Sequence, residues 1–322
     1  MQKILDITPE GITQASGLIK PEFLNTPLHR NISLAATPSL SVTLKDETAS
    51  PICCFKGRGT DYFAHTYAAT SPVVVCASAG NFGQGLAMAM HRRGGKAIVF
   101  AAKNASPLKI TRMKELGGEV ILSGHDFDEA NDAARMYANE KGLPFVEDAA
   151  FAEIAEGAGT LAKEMTESEA EFDAIYIPVG GGALINGVGT WLKQARPDVK
   201  VIGVCAEGAP SLAISWKERK VVETATVNTF ADGIAIRTPA LPTIQHMMKV
   251  VDDFVLVSDA EILNAMRVTH CTTGIRPEPS GAAGVAAIIK DAEIRGIKHP
   301  ASLICGANVP DDKMTDWFGA VL

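Results

Sequence analysis

Lys56 stands in the stretch ICCFKGRGTDYF, directly after Cys53, Cys54 and Phe55 and directly before Gly57, Arg58 and Gly59. A lysine is usually solvated, but one flanked by apolar residues, and by glycines that let another backbone approach, is a candidate reactive amine. Three glycine-rich segments could serve it. SAGNFGQG, residues 78–85, follows the apolar run VVVCA and opens a helical pattern. Its amides and the Ser78 hydroxyl could hold a carboxylate at a helix N-terminus. PVGGGALING, residues 178–187, puts consecutive glycines after a buried strand, where backbone N–H groups can converge on a phosphate. ICGANVP, residues 304–310, ends the last strand-like run and offers polar groups there.

These residues need elements to position them. SVTLKDET upstream of Lys56 reads as a strand and TDYFAHTYAA downstream as a helix, so the lysine falls at a strand-to-helix junction. From Ser71 onward short β-branched runs alternate with helical stretches: PVVVCAS, NFGQGLAMAMHRR, KAIVFAA, SPLKITRMKELG, EVILSG and DFDEANDAARMYANEKG. The alternation resumes after Ala150, through DAIYIPVG and KVIGVCAEG to ASLICGA. Such βαβα order predicts an α/β fold of two open, mostly parallel twisted sheets covered by helices. Ligands in such sheets bind beyond the carboxyl ends of the strands, where all three glycine-rich segments fall. The expected division is a large domain of residues 1–69 and 149–322 and a small one of residues 70–148, with the site in the cleft between them.

At 322 residues and 47% hydrophobic content the chain can bury two cores, given domains of roughly 100–200 residues. The net charge is −7 and no lysine–arginine block occurs, so a nucleic-acid partner is not expected. No export segment and no apolar window of about 18 residues is present, so no membrane partner is expected and the location is expected to be cytoplasmic. The six cysteines form no CxxC pair, and no metal site is expected. HDFDE at 125–129 reads as a helix start with Asp126 as the cap rather than as a metal cluster. Adjacent Cys53 and Cys54 are expected to stay thiols.

A nicotinamide site is the rival reading of the central glycines. Gly180 and Gly182 fit GxGxxG but its last position falls on Ile185; Glu207 could serve as the ribose acid. No GxxxxGK[ST] loop is present. One amine, one phosphate cradle, one carboxylate loop and one polar group at a strand end together suit pyridoxal phosphate.

From TPLHR to ICGANVP the chain resembles the threonine and serine dehydratase group of the tryptophan synthase β-type, or fold type II, family of pyridoxal-phosphate enzymes. By that resemblance Lys56, after Phe55, is the Schiff-base lysine of the family's SFKxRG motif, and Asn81 contacts the cofactor's ring hydroxyl. Ser78, Ala79, Gly80 and Asn81 form the loop that grips the substrate carboxylate. Gly180, Gly181, Gly182, Ala183 and Leu184 are the phosphate loop, and Cys305 stands beside the pyridine nitrogen. Glu278 matches an acidic position near the site; as a residue type before a helix it reads equally well as a capping carboxylate. Cys53 and Cys54, Phe82 and Ala183 depart from the family pattern, and Cys205 stands where many members carry a cation-binding glutamate. The implied function is β-elimination from an L-β-hydroxy amino acid, L-threonine or L-serine, giving a 2-oxo acid and ammonia in a homodimer. The alternatives within the family are a β-replacement synthase, a racemase or a hydroxyaspartate dehydratase. Members that racemise serine carry a second hydroxyl where this chain has Ala79. The chain ends at Leu322, shortly past Pro310, so regulation by branched-chain amino acids is not expected.

Overall fold

Runs such as VVVCA, AIYIP and PASLI have no polar face, so as strands they must be covered on both sides, the condition of parallel sheets. The computed structural model, which describes residues 5–318, places them so. In chain order the elements are α1 (Pro9–Leu18), β1 (Leu28–Leu34), β2 (Thr37–Asp46), α2 (Lys56–Tyr67), β3 (Val73–Ala77), α3 (Asn81–Arg92) and β4 (Lys96–Ala101). There follow α4 (Pro107–Glu115), β5 (Glu119–Leu122), α5 (Phe127–Lys141), α6 (Ala152–Glu167), β6 (Ala174–Pro178), α7 (Ala183–Ala195) and β7 (Lys200–Ala206). The last are α8 (Ser211–Glu218), α9 (Leu241–Val250), β8 (Asp253–Val257), α10 (Asp259–Thr273), α11 (Pro279–Asp291), β9 (Pro300–Ile304) and α12 (Asp311–Phe318).

One sheet has the order β1-β2-β9-β6-β7-β8, the other β3-β4-β5. Every pairing is parallel except β1 with β2. On the larger sheet Ile175, Ile177, Val201 and Leu303 pack with Leu161, Ile185 and Val188 of α6 and α7, while Tyr176, Ile202 and Ile304 pack on the other face with Ala265, Met266 and Val285 of α10 and α11. In the smaller sheet Val74, Cys76 and Val99 meet α2 and α3, and Val75, Ile98 and Phe100 meet α5. The hydroxyl-poor sides are thus spent on helices, and the strand ends are left to do chemistry. Asp126 caps α5 by accepting from the Glu129 amide at 2.9 Å, as its position in the sequence suggests.

The helix after the lysine begins earlier than its apolar pattern indicates. Lys56 is the first residue of α2, and Gly57 and Gly59 lie inside the helix. A Cβ on Gly57 would come within 2.3 Å of the Phe23 ring and one on Gly59 within 2.3 Å of the Ile154 carbonyl. Packing space accounts for these two glycines. Between them Arg58 is fully buried, donating to Glu47 at 2.8 and 2.9 Å, to Glu164 at 2.5 and 3.0 Å and to the Thr160 hydroxyl at 3.0 Å. Lys45 adds a second cation on Glu164 at 2.6 Å. The first turn of α2 is therefore anchored by a set of buried and partly buried charges, each with a partner. Removing one member leaves the others uncompensated, which typically costs about 3–5 kcal/mol. Arg58→Leu should lose stability of that order in urea titration, and a loss under about 1 kcal/mol would mean that Glu47 and Glu164 find water or each other's protons instead.

Candidate functional site

A short antiparallel contact fixes Lys56 against the end of β9. The Phe55 amide donates to the Cys305 carbonyl at 3.0 Å and the Ala307 amide to the Cys53 carbonyl at 3.0 Å, with Cys54 and Gly306 bridged between them. Cys53 adopts φ +51° to make the turn, and both it and Cys54 are free thiols. The lysine's amine passes 4.7 Å from the centroid of the Phe55 ring and pairs with the Asp148 carboxylate.

Asp148 is a residue that motif reading overlooks. It reaches the site because the chain after α5 returns along β3: Val75 donates to the Pro144 carbonyl at 2.9 Å, and Val146 to the Val75 carbonyl at 2.8 Å. Parallel to β3, this segment delivers Asp148 to the same carboxyl end from which Ser78 emerges. Asp148 Oδ2 takes the Lys56 amine; Asp148 Oδ1 is buried with no hydrogen-bond partner.

Asp148 also joins the lysine to the central glycines. Gly182 has φ +97° and forms the N-cap of α7, a conformation open to glycine and costly for other residues. A Cβ on Gly180 would sit 2.4 Å from the Gly233 carbonyl oxygen, and one on Gly182 would sit 2.3 Å from a Thr243 methyl. One on Gly181, by contrast, would meet nothing nearer than Ala149 Cβ at 3.4 Å and Asp148 Oδ2 at 3.7 Å. The backbone at Gly181 therefore faces a space bordered by the carboxylate that holds Lys56. Ala183 and Leu184, both buried, open α7, whose first-turn amides have no acceptor within the helix and favour an anion.

The third group centres on Asn81, the first residue of α3. Ser78 Oγ accepts from the amides of Gly80 at 3.2 Å and Gly83 at 3.0 Å, so the hydroxyl shapes its own loop. A Cβ on Gly80 would meet no atom within 4 Å. Asn81 Nδ2 donates to Glu278 Oε1 at 2.8 Å, and Asn81 Oδ1 accepts from Asn308 Nδ2 at 2.8 Å. Asn308 Nδ2 also donates to the Ile52 carbonyl at 2.9 Å, and the Asn308 amide to Glu278 Oε2 at 3.2 Å. The Ser280 hydroxyl donates to Glu278 at 3.0 Å, and the Cys305 thiol to the Ser280 carbonyl at 3.6 Å. Asn308 lies within ICGANVP, but no spacing rule assigns it a partner 227 residues away in sequence.

Glu278 occupies the N-cap position of α11 yet its side chain caps no helix amide. The carboxylate turns to Asn81, Ser280 and Asn308 instead. Burial, with Asp232 adding like charge, holds its carboxyl above the ordinary range, against the hydrogen bonds from Asn81 and Ser280. A raised folded-state value means that folding takes up a proton here. The stabilising contribution is complete below the ordinary value of 4.5 and is lost as pH rises through the raised one. Thermal melts between about pH 4 and pH 7 should show the wild type losing stability relative to Glu278→Gln as pH rises. Parallel curves would mean an unperturbed carboxyl. Burial and the Glu278 charge likewise push the Cys305 thiol up, so it is a neutral group. Cys205 is buried in β7, its thiol pushed up to about 12 by burial.

A part-buried amine, a glycine turn at a helix N-terminus with open space beside Gly181, and an amide–thiol pair at two strand ends fit pyridoxal phosphate. Residues 19–306 match the family model described as pyridoxal-phosphate dependent enzyme. The chain is 35% identical to the L-threonine ammonia-lyase of Thermotoga maritima, over 96% of this chain and 77% of that protein. It is 32% identical to the biosynthetic L-threonine dehydratase of Haemophilus influenzae, over 88% of this chain but 56% of that one, so it spans little more than half the length of this relative. Among solved structures it superposes on the processed form of threonine deaminase isoform 2 from Solanum lycopersicum with a TM-score of 0.88 at 29% identity, covering 98% and 90% of the two chains. Maize serine racemase gives 0.90 at 26% identity, with 96% of each chain covered.

Proposed function

This chain belongs to the pyridoxal-phosphate-dependent enzyme family, and we propose that it is a lyase that removes the β-hydroxyl and the amino group of L-threonine or L-serine to release a 2-oxo acid and ammonia. The observation that carries this reading is the meeting, at neighbouring strand ends, of the Lys56 amine, the Gly180–Gly182 turn and the neutral Cys305 thiol. In it, Gly180, Gly181, Gly182, Ala183 and Leu184 hold the cofactor's phosphate, Asn81 meets one edge of its ring, and Cys305 meets the ring nitrogen. Ser78, Ala79, Gly80 and Asn81 receive the substrate carboxylate at the N-terminus of α3, with Glu278 behind Asn81 keeping that amide oriented.

When bound, the cofactor supplies a carbonyl for the amino group and a conjugated ring that takes up the electron pair left as the α-proton departs. The protein's part is positional and acid–base. Lys56 takes the α-proton and holds it at Nζ; Phe55, packed under the amine, limits the water that could compete for it. A thiol at Cys305 is a weak donor beside the ring nitrogen where a carboxylate would be a strong partner. The electron sink is then shallow, which favours prompt loss of a β-leaving group. The same reading includes a homodimer working in the cytoplasm, and a division into a small unit of residues 70–148 and a large one of residues 1–69 and 149–322.

A screen of β-hydroxy amino acids for ammonia and 2-oxo acid release tests this. L-threonine or L-serine should give both products in equal amounts. Release from neither, by a protein that carries the cofactor, would overturn the reaction while leaving the family in place.

A further inference from the structure

Resting on the cofactor reading above, we infer that Asp148 is the positioning residue for the Lys56 amine: it docks the amine, whenever it is free, beside the Gly181 turn, in place to capture the cofactor's aldehyde. Three observations carry this. Asp148 Oδ2 holds Lys56 Nζ. The same oxygen lies 3.7 Å from the position of a Cβ on Gly181, so the docked amine is at the mouth of the anion cradle. Asp148 Oδ1 is buried without a hydrogen-bond partner, so it is the contact with the lysine amine that holds this carboxylate in place. The parallel run of residues 144–146 beside β3 fixes the height of Asp148, which puts this partly buried carboxylate at the strand end.

The chemistry balances with no further reactant. An ammonium cannot attack a carbonyl; it must first lose one proton, which passes to solvent water. The neutral Nζ then bonds to the aldehyde carbon, its remaining two protons leave with the aldehyde oxygen as water, and the carbon–nitrogen double bond is formed. Orientation of reacting groups is commonly worth a large factor in rate, and a misplacement near 1 Å can cost about 10²-fold.

The test uses the full-length chain freed of cofactor and two probes. Pyridoxal phosphate requires Lys56 for capture, whereas pyridoxine phosphate has an alcohol in place of the aldehyde and binds through the cradle and ring contacts alone. Stopped-flow absorbance should show Asp148→Asn capturing pyridoxal phosphate roughly 10- to 100-fold more slowly than wild type, with its affinity for pyridoxine phosphate not weakened. Asp148→Glu, which restores a carboxylate, should be faster than Asp148→Asn. Equal capture rates in wild type and Asp148→Asn would overturn the inference, as would equal rates in Asp148→Asn and Asp148→Glu. A loss of pyridoxine phosphate affinity matching the loss in rate would also overturn it, because Asp148 would then be part of the cradle. Wild type that takes up neither probe would overturn the cofactor reading itself.

Discussion

Lys56→Ala is expected to abolish 2-oxo acid release, by at least about 10²–10⁴-fold, the usual contribution of a positioned acid–base group. On the proposed reading the larger end of that range applies, because the same amine would also anchor the cofactor. Wild-type protein should be yellow as purified. Reduction with borohydride should fix the cofactor on the peptide that contains Lys56, as peptide mapping would show. The variant should instead hold pyridoxal phosphate reversibly, since the Gly180–Gly182 turn and Asn81 are untouched by the change. With the amine gone Asp148 loses its cation, but at the edge of the site it can be solvated, so folding should survive. A colourless protein that gains no visible absorbance with added cofactor would sink the assignment of Lys56, and so would an unmodified Lys56 peptide after reduction.

The strand–helix alternation from Ser71 onward was legible because β3, β4, β6, β7 and β9 are short apolar runs and helices such as α4 and α5 carry one exposed polar side. The antiparallel β1 was not legible: LHRNISL lies at the sheet edge, buries only Leu34 fully and carries little pattern. Helices α1, α8, α9 and α12, each at most ten residues long, were missed as well. The pairing of β2 with β9 joins residues about as far apart as the chain allows, Thr43 with Ala301, and local pattern is silent on such contacts. In the site, Lys56, Asn81 and Gly180–Gly182 were legible because glycine spacing and a resemblance to known motifs mark them. Asp148 was not, because VEDAA has no turn signal and its role depends on the return of residues 144–146 along β3. Glu278 was legible as a position but ambiguous in role, since a carboxylate ahead of a helix suits a cap equally well; the direction of its side chain is a tertiary fact.

Elimination should exceed racemisation by about 10²–10⁴-fold, and the reason lies opposite Lys56. Inverting the α-carbon requires two proton-handling groups, one on each face of the planar carbanion. On the proposed reading Lys56 supplies one face. On the loop that would face it, residue 79 is alanine, and a methyl group has no proton to give. The neighbouring Ser78 hydroxyl does not substitute readily, because its oxygen is pinned by the amides of Gly80 and Gly83 and its side chain is buried in the loop it shapes. A carbanion with a proton source on only one face returns to the L-configuration or loses its β-hydroxyl, and the weak thiol partner at Cys305 shortens its life in favour of the second. The fold itself does not decide between these outcomes, since this chain superposes as well on maize serine racemase as on tomato threonine deaminase. The difference therefore has to reside in individual side chains. Ala79→Ser should raise racemisation of L-serine while leaving cofactor colour unchanged. Chiral chromatography of L-serine and L-threonine incubations decides the matter. D-serine or the threonine epimer formed by the wild type as fast as 2-oxo acid would mean that another group protonates the far face, and the role drawn here from Ala79 would fall with it.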